Sequence, residues 1–487
     1  MKNILLEETQ EDIVLKFLQD IIRGTEWENK VWLAGGAVRD EIMGKKPKDL
    51  DFTVLGSLDS GIKFSTWLAH KLGNFKEGSN PVVYERFGTA KLSTNFNKFK
   101  LPNIELEFVA PRKEEYEPGS RKPIVSAGTI EDDAKRRDLT INSLLKNISN
   151  GKVFDVTGRG ISDIKKGIVK TTTDPNIIFR EDPLRMLRAI RFTVKYGFEM
   201  EEDVFNGIKK DAQSIETISA ERIADELNKI LVSPNPKKGI ELMASTGLLH
   251  YTIPELEKTI GVGQGEHHTE DVFQHILTVL SNTPPDLPTR LMALFHDVGK
   301  PETKSVDEDG EIHFYGHEHV GADITRNILT RLKYPGDLIN SVVRGVDYHM
   351  RLKDAGKEGD KLSDKALRKF VNAAGGDLNS MLDLMQADNI SHKKESVKAN
   401  QITGVRDRIN DLESKADSKK VVLPITGHDL INLGLKPGPV FKEIMDLVQD
   451  AWYENPELSR DEAMKIVNQY LLDKNINEIK TLMGKIL

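Results

Sequence analysis

The spacing of hydrophobic residues changes in kind near Asn150. Before that point, short apolar runs and apolar–polar alternation predict strands at Val31–Ala34, Tyr84–Leu92 and Ile104–Val109, after an amphipathic helix over residues 1–30. Beyond it, apolar residues recur at helical intervals for most of the remaining chain. The pattern predicts an α+β protein, in which a unit with an antiparallel or mixed sheet precedes mostly helical domains.

Two glycines and two carboxylates follow the first predicted strand. Gly35 and Gly36 precede a short helical pattern, so backbone N–H groups there can approach a phosphate closely. Further on, Asp49 and Asp51 would share one face of a strand, because side chains alternate between faces. Adjacent carboxylates repel each other unless a cation lies between them, so the pair favours Mg²⁺. A phosphate-binding turn beside a metal pair indicates a site that handles nucleotides.

A third carboxylate is available in the strand predicted at Ile104–Val109. Glu105 and Glu107 alternate there with apolar residues, and one of them could join the metal pair. The favoured interpretation is an acid that faces water on an edge strand.

Length and composition restrict the class of protein. With 487 residues, at about 100–200 residues per domain, three or four domains are expected. We divide the chain into a head (1–150), a neck (151–235), a helical body (236–395) and a helical tail (396–487). The absence of cysteine excludes disulfides, iron–sulfur clusters and thiolate zinc sites. No apolar run reaches the length of a membrane span, and the acidic N-terminal segment lacks a signal-peptide core, so a cytoplasmic protein is expected.

The charge distribution is uneven. The net charge is −7, but the segment 135–195 contains 14 Lys and Arg residues against six Asp and Glu residues. Such a basic segment in an acidic protein indicates local phosphate binding; a solvated helical surface is the alternative.

Polar residues in REDPLRMLRAIRF (180–192) step by three along a predicted helix: Asp182, Arg185 and Arg188. They lie opposite an apolar stripe of Leu184, Leu187 and Ile190. Cytosine and adenine each place an amine donor beside a ring-nitrogen acceptor, which a carboxylate and a guanidinium would match. Uracil and guanine reverse the pattern and would leave polar groups unpaired, at about 1–3 kcal/mol each. The alternative is an exposed ion pair worth roughly a few tenths of a kcal/mol.

Seven motifs together resemble the bacterial-type (class II) CCA-adding tRNA nucleotidyltransferases and the related bacterial poly(A) polymerases. They are GGAVRD (35–40), KDLD (48–51), RKEEY (112–116), EDDAKRRDLTIN (131–142), FDVTGRGISDI (154–164), EDPLRMLRAIRF (181–192) and SAERIADEL (219–227). Directly before the RKEEY motif, this chain has Ala110 and Pro111, where many relatives have Thr and Phe.

The resemblance implies a polymerase-β-like head, a neck that reads the base, and a role for each matched residue. Asp49 and Asp51 would be the catalytic ligands of Mg²⁺, and Asp182 and Arg185 would read the base beside Arg188. The remaining nucleotide-binding residues would be Gly35, Gly36, Arg39, Arg137 and Asp138. The implied reaction is attack of the tRNA 3′ hydroxyl on the α-phosphate of CTP or ATP, with release of pyrophosphate. Poly(A) polymerase and an enzyme that adds only A or only CC share every motif and stay open.

A second constellation of possible ligands follows beyond residue 264. Seven of the twelve histidines fall between residues 267 and 319. The order His275, His296–Asp297, Asp388 resembles the HD phosphohydrolase superfamily, and His317 and His349 lie where binuclear members add ligands. Imidazole and carboxylate without thiolate favour Mg²⁺, Mn²⁺, Fe, Co²⁺ or Ni²⁺ over structural zinc.

In nucleotidyltransferases, such a domain implies removal of phosphate groups from damaged or cyclic tRNA 3′ ends. The other histidines of the cluster are interpreted as bystanders: His267, His268, His313 and His319. The tail could contact tRNA or form a solvated helical cap. Two rival functions are an HD phosphohydrolase whose head only binds nucleic acid, and a non-catalytic RNA-binding protein. The intact Asp49 and Asp51 speak against both.

Overall fold

The computed structural model describes residues 9–47, 49–72, 81–85, 88–94, 99, 101–115, 124–264, 270–392, 398–415, 423–455 and 457–483. The chain forms two compact units. One comprises Met1–Glu257 with Arg331–Tyr334, and the other comprises Lys258–Thr330 with Pro335–Leu487. The finer division at residues 150, 235 and 395 stays a prediction. His267 and His268 lie outside the described residues.

A seven-stranded sheet forms the centre of the head. Its elements are α1 (Gln10–Ile22), β1 (Val31–Ala34), α2 (Gly36–Ile42), β2 (Leu50–Val54), α3 (Ser60–Leu72), β3 (Val82–Tyr84), β4 (Thr89–Ser93), β5 (Glu105–Val109), β8 (Leu144–Asn147) and β9 (Val153–Asp155). A separate hairpin, β6 (Arg112–Glu115) and β7 (Ile124–Ala127), is followed by α4 (Ile130–Lys135). The strand order is β3-β4-β5-β2-β1-β8-β9. The pair β2–β5 is parallel and the other pairs of this sheet are antiparallel.

Two predicted elements of the head are wrong in extent. The helix expected over residues 1–30 spans Gln10–Ile22, with Thr9 as its N-cap. It stops there because Gly24 has a φ of +70°, a left-handed conformation that ends a helix. The strand expected at Tyr84–Leu92 is two strands, because the chain reverses and pairs Tyr84 with Thr89.

Aromatic packing holds α3 on the sheet. Phe52 of β2 stacks on Phe108 of β5 at 5.2 Å, and Phe64 of α3 meets Phe108 edge-on at 5.0 Å. The helix approaches β5 closely at Gly61, where a Cβ would lie 2.6 Å from the carbonyl oxygen of Phe108. The helix therefore packs closely on the parallel pair of β2 and β5, in which Asp51 lies beside Glu107.

Helices follow the head within the same unit. They are α5 (Gly160–Lys166), α6 (Pro175–Glu181), α7 (Leu184–Tyr196), α8 (Glu202–Asp211), α9 (Ala220–Leu231), α10 (Pro236–Ser245), α11 (Leu248–Thr252) and α12 (Pro254–Glu257), with a short parallel pair β10 (Ile168–Val169) and β11 (Glu199–Met200). Helix α7 packs against α9 and α10. Its predicted stripe of Leu184, Leu187 and Ile190 is buried, and this packing holds its polar residues in fixed positions.

The described part of the second unit is helical apart from a small hairpin. Its elements are α13 (Val272–Asn282), α14 (Leu287–Phe295), α15 (Lys300–Thr303), β12 (Ser305–Val306), β13 (Ile312–His313), α16 (His317–Arg331), α17 (Gly336–Tyr348), α18 (Asp364–Ala374), α19 (Leu378–Ile390), α20 (Gln401–Lys415), α21 (Gly427–Asn432), α22 (Pro439–Glu454) and α23 (Arg460–Met483). Helix α14 packs against α13, α17 and α19, and every side chain from Leu291 to Phe295 is fully buried. Among the described residues, we find no helix that is both long and apolar enough to cross a membrane.

Candidate functional sites

A cavity of about 720 Å³ lies in the first unit, lined by residues of the sheet, α2 and α7. All ten residues that the sequence predicts for the nucleotide site line it: Gly35, Gly36, Arg39, Asp49, Asp51, Arg137, Asp138, Asp182, Arg185 and Arg188. The structure therefore brings together residues that are up to about 150 positions apart in the chain. Their individual roles stay predictions.

Three of the carboxylates that line this cavity lie on, or directly before, the strands β2 and β5. Asp49 precedes β2, Asp51 lies within it, and Asp51 is paired in register with Glu107 on the parallel neighbour β5. The edge-strand interpretation of Glu107 is wrong, because β5 lies between β2 and β4. Only Glu105 remains exposed, and Lys91 contacts both acids, at 2.8 Å for Glu105 and 3.5 Å for Glu107.

The electrostatics of these acids fit a divalent cation. Partial burial raises the pKa of Asp51, and the charges of Glu107 and Asp49 raise it further, although Arg137 and Lys91 act in the opposite direction. The protein thus leaves an excess of negative charge on oxygen ligands at this point. Oxygen ligands with uncompensated negative charge are what Mg²⁺ prefers.

The first of the two glycines has a packing role. Gly35 has a φ of +60°, and its N–H donates to the carbonyl oxygen of Leu144 at 2.9 Å. A Cβ at this position would lie 2.7 Å from Nη1 of Arg137. Because its N–H donates to Leu144, it is not available to a phosphate; the predicted phosphate contact of Gly36, at the start of α2, stays a prediction.

Arg39 is buried and held on several sides. Its Nη1 donates to Oδ1 of Asn142 at 2.5 Å, and its Nε donates to Oδ1 of Asp40 at 2.8 Å. The guanidinium lies over the rings of Phe192 and Tyr196 of α7, at 5.1 and 4.8 Å from their centroids. The hydroxyl of Tyr196 donates to the same Asp40 oxygen at 3.1 Å. Helix α7 therefore orients an arginine that the head presents to the cavity.

The adjacent Arg136 and Arg137 share one buried carboxylate, Asp133. Its oxygens accept from Nη2 of Arg136 at 2.5 Å and from Nη2 of Arg137 at 3.0 Å. Burial alone would raise the pKa of Asp133, but Arg137 and Arg136 outweigh it and lower the pKa. Sequence reasoning missed this residue, although its spacing of three and four residues before the arginines was a readable signal.

Asp138 is buried and fully engaged in protein contacts. It accepts from the Leu139 N–H at 2.8 Å, from Nδ2 of Asn142 at 3.0 Å and from Nε of Arg188 at 2.7 Å. Burial opposes ionisation, yet Arg188 and Asn142 lower the pKa of Asp138 below its ordinary value. In this structure Asp138 positions Arg188 and Asn142, and a direct contact with ribose or phosphate stays a prediction.

The two residues predicted to read the base have separate partners. Asp182 accepts from Nη2 of Arg222 at 2.9 Å, whereas Arg185 donates to Glu181 at 2.8 Å and to the carbonyl oxygen of Arg136 at 2.7 Å. The exposed Asp182–Arg185 ion pair of the alternative interpretation is wrong, because Arg185 is only 9% exposed and both residues bond elsewhere. Arg222, from the SAERIADEL motif, was missed.

The charges of the cavity lining are unbalanced in favour of cations. Eight basic side chains line it, against five acidic ones. The basic set is Arg39, Arg136, Arg137, Arg185, Arg188, Arg191, Lys195 and Arg222; the acidic set is Asp49, Asp51, Glu107, Asp138 and Asp182. Such a lining favours a polyanion such as a nucleoside triphosphate.

A second cavity, of about 640 Å³, lies in the second unit around Asp297. Oδ2 of Asp297 lies 3.2 Å from Nε2 of His296 and 3.6 Å from Nε2 of His275. Oδ1 lies 3.3 Å from Nε2 of His317 and 3.8 Å from Nε2 of His349. The described residues contain two groups able to hold a metal ion, and Asp297 belongs to both.

Backbone carbonyls orient three of these rings. Nδ1 of His296, His317 and His349 contacts the carbonyl oxygen three residues earlier, at 2.8, 2.8 and 2.6 Å. A neutral imidazole that donates from Nδ1 keeps a lone pair on Nε2 for a metal. Nε2 of His296 is buried without a hydrogen-bond partner among the described residues. The donor set and this unsatisfied nitrogen fit a divalent cation.

The sixth predicted ligand, Asp388, completes the group. Its Oδ1 lies 3.1 Å from Nε2 of His275, and its Oδ2 accepts from Lys353 at 2.5 Å. Burial opposes ionisation, but Lys353 and His275 hold the pKa of Asp388 well below its ordinary value. Burial, His296 and His317 lower the pKa of His349 in turn, which keeps that ring neutral. The site therefore presents ionised carboxylates and a neutral imidazole.

Some residues of this cavity were missed or set aside. His392, Lys300 and Lys353 line it without having been predicted. Lys300 donates to Oδ2 of Asp297 at 2.7 Å and to Gln264 at 2.6 Å. Of the expected bystanders, His319 is paired with Asp347 at 2.6 Å, whereas His313 lines the cavity.

Three family models match the chain. Residues 31–170 match the poly A polymerase head domain, and residues 267–391 match the HD domain. Residues 197–260 match a model described as "Probable RNA and SrmB- binding site of polymerase A".

Curated relatives and solved structures agree with these models. An A-adding tRNA nucleotidyltransferase of Deinococcus radiodurans is 32% identical over 66% of this chain and 75% of its own length. A CC-adding tRNA nucleotidyltransferase of Thermus thermophilus is 28% identical over 88% of this chain and 91% of its own. A multifunctional CCA protein of Neisseria gonorrhoeae is 33% identical over 63% and 70%.

Among solved structures, the Bacillus stearothermophilus CCA-adding enzyme in complex with CTP has a TM-score of 0.64 and 21% identity, covering 99% of this chain and 100% of its own. The Thermotoga maritima CCA-adding enzyme complexed with tRNA has a TM-score of 0.56 and 19% identity, covering 95% and 97%. At these identities the two structures show a common fold. Together with the curated relatives and the matched head domain, they lead to one conclusion: the chain belongs to the tRNA nucleotidyltransferase family that carries the poly(A) polymerase head domain.

Proposed function

We propose that the head adds cytidine and adenosine nucleotides to the 3′ end of tRNA without a nucleic-acid template and releases pyrophosphate. The observation that carries this proposal is the cavity in which the carboxylates of Asp49, Asp51 and Glu107 lie together among eight basic side chains of the described lining. The names of the relatives support tRNA as the substrate, since they describe addition of A, of CC or of the whole CCA.

The residues of the cavity divide the work. Gly36, Arg39 and Arg137 bind the triphosphate, and Asp49 and Asp51 hold Mg²⁺ with Glu107 beside them. Bound Mg²⁺ would lower the pKa of the attacking hydroxyl and stabilise the charge of the leaving pyrophosphate. The 3′ oxygen bonds to the α-phosphorus, the bond from that phosphorus to the bridging oxygen breaks, and the hydroxyl proton leaves to solvent. The buried Asp133 keeps Arg137 directed at the phosphates.

Base selection rests on Asp182 and Arg185. The carboxylate accepts from the amine of cytosine or adenine, and the guanidinium donates to the neighbouring ring nitrogen. Because Arg185 is paired with Glu181 and Asp182 with Arg222, an entering base exchanges places with these partners. Uracil and guanine would place a carbonyl oxygen opposite the carboxylate and a ring N–H opposite the guanidinium, so they are rejected.

The deciding experiment supplies labelled CTP and ATP to tRNAs that lack CCA, lack only the final A, or are complete. We expect two C residues and one A on the shortest tRNA, one A on the second, and no addition to the third. Failure to add C would restrict the protein to A addition, and failure to add A would restrict it to CC addition. Extension of the complete tRNA by A residues would make it a poly(A) polymerase.

Asp51→Asn is expected to lower the rate of nucleotide addition by about 100-fold or more, because it removes a ligand of the catalytic cation. The folded state raises the pKa of Asp51, so the ionised side chain costs stability above the unfolded-state pKa, and a neutral Asn removes that cost. The Tm measured without Mg²⁺ should therefore stay equal or rise. Glu105→Gln, on the exposed end of β5, is the control and should retain full activity. Unchanged turnover in Asp51→Asn would refute the metal assignment.

Arg185→Ala is expected to lower the preference for CTP over UTP by about 10-fold or more. The variant loses the guanidinium that donates to the ring nitrogen of cytosine, and the ring N–H of uracil no longer faces another donor. The measurement is kcat/KM for each nucleotide on tRNA lacking CCA. Arg180→Ala, an exposed arginine on the adjacent helix α6, serves as the control and should keep the preference. A uniform loss of rate with both nucleotides would contradict the base-reading role.

We also infer a second activity, a metal-dependent phosphohydrolase in the second unit that acts on phosphate groups at RNA ends. The observation behind it is the Asp297 carboxylate between four imidazoles. His275, His296 and Asp388 with one oxygen of Asp297 would hold one cation, and His317 and His349 with the other oxygen would hold a second. The cations, of the Mg²⁺, Mn²⁺, Co²⁺, Ni²⁺ or Fe class, would supply hydroxide and neutralise phosphate charge. Water adds to phosphorus, the bond to one ribose oxygen breaks, and that oxygen receives the proton.

Asp297→Asn is expected to lower hydrolysis of adenosine 2′,3′-cyclic phosphate by more than about 100-fold and to reduce the metal bound per chain, because Asp297 borders both metal positions. Hydrolysis is measured with each divalent metal in turn, and bound metal by elemental analysis. Nucleotide addition by the head should be retained in the variant. His319→Ala, whose ring is exposed and paired with Asp347, should match the unmodified protein. Equal hydrolysis and equal metal content in Asp297→Asn would overturn the assignment.

A further inference from the structure

An exposed aromatic residue lies at the cavity of the second unit. Tyr315 is 76% exposed, yet it lines the same cavity as Asp297. It follows the β12–β13 hairpin and precedes the candidate ligand His317 by two residues, so the two Cα atoms are at most about 7 Å apart. A large apolar ring therefore stands beside the candidate metal positions without being part of the core.

The ring of Tyr315 is held in place from one side. It stacks on the ring of His313 with centroids 5.0 Å apart and planes inclined by 13°. Nε2 of His313 lies 2.7 Å from a carboxylate oxygen of Asp307, at the other end of the hairpin. The hydroxyl of Tyr315 lies 3.3 Å from Nδ1 of His313. One face of the tyrosine is thus covered and oriented, and its high exposure leaves the rest of the ring to solvent or a ligand.

The charges of the cavity favour an anion beside that ring. Four lysines line it: Lys300, Lys353, Lys357 and Lys398. Lys300 and Lys353 are paired with Asp297 and Asp388, the two carboxylates of the lining. Lys357 and Lys398 add positive charge beyond those two pairs, which suits a phosphate.

We propose that Tyr315 stacks on the base of a nucleotide whose phosphate lies at Asp297, so that the second unit acts on nucleotides and RNA ends rather than on phosphate esters in general. This inference rests on the phosphohydrolase function proposed above. Stacking of a base on an aromatic side chain is favourable for every base, because each has a flat face, so the platform confers a requirement for a base without selecting its identity. A phosphate ester without a base would gain nothing from it.

The test compares Tyr315→Ala with the unmodified chain on adenosine 2′,3′-cyclic phosphate and on glycerol 2-phosphate, which has no base. Tyr315→Ala should raise KM for the nucleotide by about 10-fold or more with little change in kcat, and should leave kcat/KM for glycerol 2-phosphate unchanged. Tyr315→Phe keeps the ring and should behave as the unmodified protein. Val306→Ala, an exposed apolar position on the same hairpin, is the control for general effects on the hairpin. Equal KM values for Tyr315→Ala and the unmodified protein would overturn the inference, as would an equal loss on both substrates.

A binding measurement separates this inference from the hydrolase proposal. Equilibrium binding of adenosine 3′-phosphate by the full chain is compared with that of inorganic phosphate, for the unmodified protein and for Tyr315→Ala. Weaker nucleotide binding by Tyr315→Ala, with phosphate binding unchanged, supports the platform even where no hydrolysis is seen, and in that case the hydrolase proposal alone fails. Identical binding by both proteins overturns the platform even where hydrolysis is active.

Discussion

The arrangement of the cavity in the first unit depends on the ion pair between Asp138 and Arg188. Asp138 of the head is buried, whereas the side chain of Arg188 on α7 keeps 34% of its surface exposed, and the two groups are 2.7 Å apart. The charge of Arg188 is the chief reason why the buried carboxylate remains ionised. Removing Arg188 would leave that carboxylate without its main counter-charge, which is unfavourable because a buried charge needs a partner. The acids on the sheet and the polar face of α7 are therefore held as one arrangement.

Both cavities follow the same electrostatic scheme. Behind the lining of the first cavity, Arg137 and Arg136 keep the buried carboxylate of Asp133 ionised. In the second cavity, Lys353 and the contact with His275 do the same for Asp388. Such carboxylates orient their partners because any other direction would leave a buried charge unpaired. Beside the first cavity, Asp133 directs two guanidinium groups that line it. In the second, peptide carbonyls orient three imidazole rings around Asp297.

The motifs predicted which residues would lie together in a cavity. The contacts that each of these residues makes depend on the three-dimensional arrangement. The ten predicted residues of the head and neck line one cavity because each motif carries its polar residues next to apolar residues that fix an element in the core. Glu107 was misjudged, because its position beside Asp51 depends on the parallel pairing of β2 and β5, which local sequence does not encode. One partner of Arg185 was equally unreadable, since it is a backbone carbonyl 49 residues away, whereas Glu181, four residues earlier, could have been predicted from its spacing. In the second unit the six expected ligands lie together. The backbone carbonyls that orient three of the rings could not be predicted, because a backbone group leaves no mark in the sequence.

The backbone at Gly35 limits substitution at this position more strictly than the neighbouring side chain does. A Cβ there would lie 2.7 Å from Nη1 of Arg137 and 3.3 Å from the carbonyl oxygen of Asn142. The guanidinium ends a flexible side chain and could move aside, but the φ of +60° would disfavour any other residue even then. Shortening Arg137 would therefore not by itself admit a side chain at Gly35.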